Sequence, residues 1–156
     1  MNGPLNILVA EDNADDLFLL RQAFKKAQVS SHLKAVEDGL DALAYLKGEN
    51  AFADRVTYPF PDVLLLDLNM PRLNGFELLE ALRQQQQFAH LVTYILTASC
   101  REPDVRRAYD LGAAGYIVKP TRIEELVAFV KALHDWHRFI QLPPRRGSTN
   151  TGPTPI

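Results

Sequence analysis

The 156-residue sequence contains one cysteine, Cys100. A lone thiol can form no disulfide within the chain and no thiolate-rich metal site. Disulfide-free domains of this size are the norm in reducing compartments, so a cytoplasmic location is expected. No apolar run approaches the roughly 18 residues that a membrane span needs, and residues 1–5 lack the basic start and apolar stretch of a secretory signal. An excess of either charge is also missing. Seventeen Lys and Arg against nineteen Asp and Glu leave a formal net charge of −2, which argues against nucleic acid as a bulk electrostatic partner. No internal repeat is visible. What is present is 47% hydrophobic and 23% charged residues, the balance of a globular chain with a real core.

Short β-rich runs alternate with amphipathic stretches. Residues 5–10 read as a first strand, and Leu17, Leu20, Phe24 and Ala27 then recur every three or four positions, as on one helix face. A second strand at 33–36 and a second helix at 38–47 come next. The unbroken apolar run at 63–66 predicts a strand covered on both faces, where period-two alternation disappears. A third helix is expected over 74–86 with Asn74 as N-cap, a fourth strand over 92–96, and a fourth helix over 102–111, with Pro103 in its first turn and Gly112 at its end. A fifth strand at 115–118 precedes a fifth helix from 123 to about 139. Five such units in series imply an α/β fold: a doubly wound parallel sheet with right-handed crossovers. Residues 48–61 form a long connection. A domain over 1–142 is expected, and then a Pro-, Gly-, Ser- and Thr-rich tail over 143–156 that should be disordered.

Open parallel sheets bind ligands outside the carboxyl ends of their strands, near the point where strand order reverses. At those ends lie Glu11, Asp12 and Asn13, then Asp67, Leu68, Asn69, Met70 and Pro71, then Thr97, Ala98 and Ser99, and finally Lys119, Pro120 and Thr121. Three carboxylates on one rim need a cation or raised pKa values to coexist, and oxygen-only ligands suit Mg²⁺. With Lys119 and the Thr97 hydroxyl beside it, this is a pocket for a phosphoryl group, in which Asp67 attacks in line and becomes an aspartyl phosphate.

The runs Ile7-Leu8-Val9-Ala10-Glu11-Asp12-Asn13, Leu64-Leu65-Leu66-Asp67-Leu68-Asn69-Met70-Pro71, Asn74-Gly75, Thr97-Ala98 and Gly112 through Pro120 together resemble the receiver domain of two-component response regulators, over about residues 5–133. The resemblance implies a flavodoxin-like (βα)5 strand order of 2-1-3-4-5. It also implies phosphoryl transfer to Asp67 from a sensor histidine kinase in a phosphorelay. Mg²⁺ would be held by Asp12, Asp67 and the Asn69 main-chain carbonyl, with Glu11 acting through water. Thr97 and Lys119 would contact the phosphoryl oxygens, Thr97 and Tyr116 would form a switch, and the Lys119–Pro120 peptide would be cis. The insertion at 48–61 and the helix end through Trp136, Phe139 and Ile140 resemble the stand-alone regulators paired with bacterial phytochrome kinases.

Competing readings are weaker. A phosphohydrolase using the same aspartate wants a second acid two residues on, where Asn69 cannot exchange a proton. A flavin carrier of similar topology wants a Ser-, Thr- and Gly-rich loop after the first strand, where this chain is acidic. Ser99 and Asn69 would flank the acyl phosphate. His134 and His137, three apart on a helix, lack a third ligand and are expected to pack at the surface. One stripe of Leu126, Phe129, Val130, Leu133, Trp136 and Ile140 is expected against the sheet. Trp136, Phe139 and Ile140 run beyond its edge, which predicts a homodimer through the last helix and the neighbouring fourth-helix and fifth-strand face. The short remainder is too small for a DNA-binding domain, so output is expected through protein–protein contact.

Overall fold

A computed structural model describes residues 3–144; the tail expected to be disordered lies almost wholly outside the described residues. In chain order the elements are β1 (Leu5–Ala10), α1 (Ala14–Ala27), β2 (Ser31–Val36), α2 (Gly39–Lys47), β3 (Val63–Leu66), α3 (Gly75–Gln84), β4 (Val92–Thr97), α4 (Glu102–Asp110), β5 (Gly115–Val118) and α5 (Ile123–His137). The strands form one parallel sheet in the order β2-β1-β3-β4-β5, the flavodoxin-like order, with its reversal between β1 and β3.

Period-two geometry divides the core. Ile7, Val9, Val63 and Leu65 face α1 and α5, where they pack with Leu20, Phe24, Leu126 and Val130. Leu8, Ala10, Leu64 and Leu66 face the other way, onto Tyr45 and Leu46 of α2 and Leu78, Leu79 and Leu82 of α3. Every residue of β3 is therefore buried, as its unbroken apolar run requires.

The long connection after α2 is packed rather than loose. Arg55 donates to the carbonyls of Tyr45 (2.8 Å) and Leu46 (2.7 Å), filling unsatisfied acceptors at the helix end, and to Tyr58 (3.0 Å). The rings of Tyr45, Phe52 and Tyr58 meet at centroid distances of 5.1 to 5.9 Å. Arg83, in the last turn of α3, donates to five carbonyls: Phe88, Ala89 and Leu91 ahead of β4, and Leu111 and Gly112 just beyond α4. By contrast, α4 buries only Ala108 and has no side-chain N-cap.

The last helix differs from expectation. It ends at His137, and its buried stripe is Leu126, Val130, Leu133 and His137. Trp136 is 59% exposed rather than packed on the sheet, because the 4-3-4 spacing selects position 137, about 100° further round the helix. His137 is buried, not a surface residue, and bonds the Tyr94 hydroxyl of β4 through Nε2 at 2.9 Å. Ile140 is half-buried, lining a cavity with Gly3, Pro4 and Leu5.

One close approach fixes where α3 sits against the end of β3. Asn74 caps α3 in a capping box with Glu77, and the Gly75 N–H donates to Leu68 at 3.0 Å. A methyl group on Gly75 would overlap the Asp67 carbonyl and Leu68 Cα. Gly75→Ala should therefore lower the urea midpoint of unfolding by an amount equivalent to about 1–3 kcal/mol, the usual cost of overpacking, with an unchanged m-value.

Candidate functional site

The sheet's hydrogen-bond ladder runs one residue past the strands and fixes the charged residues in place. The Glu11 N–H donates to Val36 (3.0 Å), Asp67 to Ala10 (3.1 Å) and Lys119 to Thr97 (2.7 Å). Neighbouring parallel strands thus deliver Glu11, Asp67, Thr97 and Lys119 to one rim, at the reversal point.

Lys119 is the centre of the group. Its Nζ donates to Glu11 Oε1 and Oε2 (3.0 and 3.1 Å), Asp67 Oδ2 (3.0 Å) and Asp16 Oδ2 (2.8 Å). The other Asp67 oxygen accepts from the Asn69 N–H at 3.2 Å, so both oxygens of the carboxylate are held. Glu11 and Asp67 are 5% and 6% exposed. Leu19, Leu20, Leu96, Pro120 and Leu126 line, together with Lys119, a cleft of about 40 Å³.

Burial governs the electrostatics. Together with the hydrogen bond to Asp67, it pushes the Glu11 carboxyl up to about 8. Burial acts on Asp67 as well, but the hydrogen bonds from Glu11 and Lys119 outweigh it and hold Asp67 below the ordinary carboxylate value. Burial disfavours charge on Lys119, yet Asp16, Asp67 and Glu11 hold its pKa above the ordinary lysine value. The crowded acids are accommodated in the two ways available to them, a retained proton and an adjacent cation.

Ligand atoms of Glu11, Asp12 and Asp67 all lie within 4.8 Å of one another. Two of these acids are buried and Asp12 is exposed, an all-oxygen donor set that suits a hard divalent cation keeping part of its water shell. Asn69 is exposed on the loop after β3. That loop is braced from outside: Arg72, in the left-handed region at φ 64°, donates through Nε to Asp38 at 2.7 Å, and Leu73 accepts from the Gly39 N–H at 3.1 Å. Asp38 also caps α2.

Thr97 is fully buried, and its Oγ1 accepts a long bond, 3.5 Å, from the Ser99 N–H. The Tyr116 hydroxyl donates to the Ser99 carbonyl at 2.9 Å. One residue, Ser99, thus links the two expected switch residues through its backbone. Its side chain is engaged elsewhere, donating to Asp104 at 2.6 Å and accepting from the Arg101 N–H at 3.3 Å. The expected cis peptide at Lys119–Pro120 is not found: no cis bond occurs among the described residues. Lys119 reaches all three acids with this bond trans, and the small intrinsic difference between X–Pro isomers permits either form. Asp16 was not foreseen. An acid in the first turn of a helix reads as a dipole partner, and only the fold reveals its contact with Lys119.

This arrangement defines a phosphoryl-accepting signalling domain of the receiver class, and the chain belongs to the response regulator receiver domain family, whose profile spans residues 7–131. The chain is 30% identical over 143 residues to response regulator Rcp1 of Synechocystis, covering 91% of this chain and 95% of Rcp1. The Mn²⁺-bound crystal form of Rcp1 superposes with a TM-score of 0.78, over 90% of this chain and all of that one. RPA3017, a response regulator in red light signaling of R. palustris, gives a TM-score of 0.84 at 40% identity, covering 90% of this chain and 99% of RPA3017. The phosphorylated cyanobacterial phytochrome response regulator RcpA gives 0.81 at 31% identity, covering 91% and 100%.

The Glu11 shift has a measurable sign. Folded Glu11 keeps its proton up to about pH 8, whereas the unfolded chain loses it near 4.5. Between those values folding takes up a proton, so each rise in pH weakens the folded state. The stability of the metal-free wild type relative to Glu11→Gln, read from urea midpoints, should fall as pH rises through that window and level off above it.

Proposed function

We propose that Asp67 accepts the phosphoryl group and that the donor is the phosphohistidine of a phytochrome-type sensor kinase. The observation that carries this reading is the Asp67 carboxylate, held at both oxygens on the rim of the sheet with Lys119 at 3.0 Å. An Asp67 oxygen forms a bond to phosphorus as the bond from phosphorus to the imidazole nitrogen breaks, and the electron pair leaves with the imidazole. Lys119 moves its third hydrogen bond from the carboxylate to a phosphoryl oxygen, offsetting charge where it develops. Asp12, Asp67 and the Asn69 carbonyl, with Glu11 through water, would hold a Mg²⁺ ion, which would supply the remaining positive charge. The Thr97 hydroxyl turns to the phosphoryl group and releases the Ser99 amide. The Ser99 carbonyl, and Tyr116 with it, then shifts toward a second arrangement that is already populated. The donor assignment rests on the red-light and phytochrome relatives, and a kinase of that kind sets the protein in the cytoplasm.

Output passes through a second copy of the chain. Trp136 and Phe139 stand 59% and 80% exposed on α5 and just beyond it, with Tyr109 of α4 and Val118 of β5 also exposed. Large apolar side chains of this kind mark interaction surfaces. Ile140, half-buried on its own chain, contributes less.

With Mg²⁺ and a small acyl phosphate donor, the intact protein should gain one phosphoryl mass and Asp67→Asn should gain none; an adduct surviving that substitution puts the acceptor elsewhere. In sedimentation at several concentrations the wild type should be dimeric and the double variant Trp136→Glu, Phe139→Glu monomeric. A wild type that remains monomeric at high concentration removes the dimer.

A further inference from the structure

Asp16 is the one acid on Lys119 that the phosphoryl chemistry leaves unused. Its backbone is fixed by the Asn13 cap, whose Oδ1 accepts from the Asp16 N–H at 3.0 Å. Its Oδ2 lies 2.8 Å from Lys119 Nζ, the shortest of the lysine's contacts. An ammonium carries three N–H donors, and here three acidic side chains, Glu11, Asp16 and Asp67, take them. Two of those acids have other duties, since Asp67 becomes an acyl phosphate during transfer and Glu11 belongs to the acid group that suits a cation. Asp16 lies outside that group and is not itself altered by transfer to Asp67. It reaches the lysine from α1, across the cleft whose other wall is Pro120 and Leu126.

We infer that Asp16 is a positioning residue: it holds the Lys119 ammonium so that one N–H stays aimed at Asp67 and passes to the incoming phosphoryl oxygen without the lysine reorganising. This rests on the reading of Asp67 as acceptor. Asp15, its neighbour in the same helical turn, is exposed and forms no ion pair with Lys119. It therefore separates positioning from a general effect of acid at a helix N-terminus.

Two measurements test the role. In metal-free protein, the ¹⁵N signal of the Lys119 ammonium, visible only while its protons are protected from solvent, should be present in wild type, Asp15→Ala and Asp16→Asn, and lost in Asp16→Ala. At saturating Mg²⁺ and phosphodonor, Asp16→Ala should slow phosphorylation by on the order of ten- to a hundredfold, the scale of a misplaced catalytic group. Asp16→Asn, which retains an acceptor oxygen, should recover most of that loss. A wild-type rate in Asp16→Ala, or an ammonium signal that survives there, overturns the role. So does an Asp16→Asn rate as low as that of Asp16→Ala, because charge rather than position then matters. A wild type that takes up phosphoryl on no aspartate overturns the acceptor reading itself, and the ammonium signal still reports whether Asp16 holds the lysine.

Discussion

A single ammonium group sets the electrostatic terms of this domain. Lys119 sits among Glu11, Asp16 and Asp67 with its side chain only 17% exposed. Carboxylates drawn this close in a partly desolvated pocket repel strongly unless a cation or a shared proton intervenes. The lysine supplies the cation and Glu11 retains the proton. Buried charge is costly, and a paired charge in such a place is better evidence of work to be done than of stability gained.

The geometry that permits this is made by apolar residues some distance from it. The parallel strands fix the register, and β3 at their centre is buried along its whole length. The ladder extends one residue beyond β1, β3 and β5, so the backbones of Glu11, Asp67 and Lys119 are hydrogen-bonded before their side chains act. Gly75 lets α3 rest on the Asp67 carbonyl, and Arg72 on Asp38 braces the loop that carries Asn69. The Asp67 backbone is thus supported by sheet and helix rather than by free loop.

Much of this was legible in the sequence because strand ends are chemically distinctive. The bounds of β1, β3 and β5 come from short apolar runs, and Asp67 and Lys119 from where β3 and β5 stop, as Thr97 comes from the end of β4. The features that escaped notice depend on contacts between distant segments. Asp16 resembles any acid in a first helical turn until Lys119, 103 residues away, is set against it. His137 loses to Trp136 on hydrophobicity alone, and its burial is explained only by Tyr94, 43 residues earlier. Arg83 reads as an ordinary base at a helix end, although five carbonyls surround it. The isomer of Lys119–Pro120 has no local determinant strong enough to read.

The unequal fastening of α4 has a mechanical consequence. Its C-terminal end is pinned by the Arg83 guanidinium through Leu111 and Gly112. Its N-terminal end is tied through Ser99 to the loop that leaves Thr97. Between them only Ala108 is buried, with Arg107 lying over the Phe76 ring at 4.4 Å. A helix fastened in this way would turn about its Arg83 end if the Thr97 loop were displaced, and carry a small displacement there outward along α4.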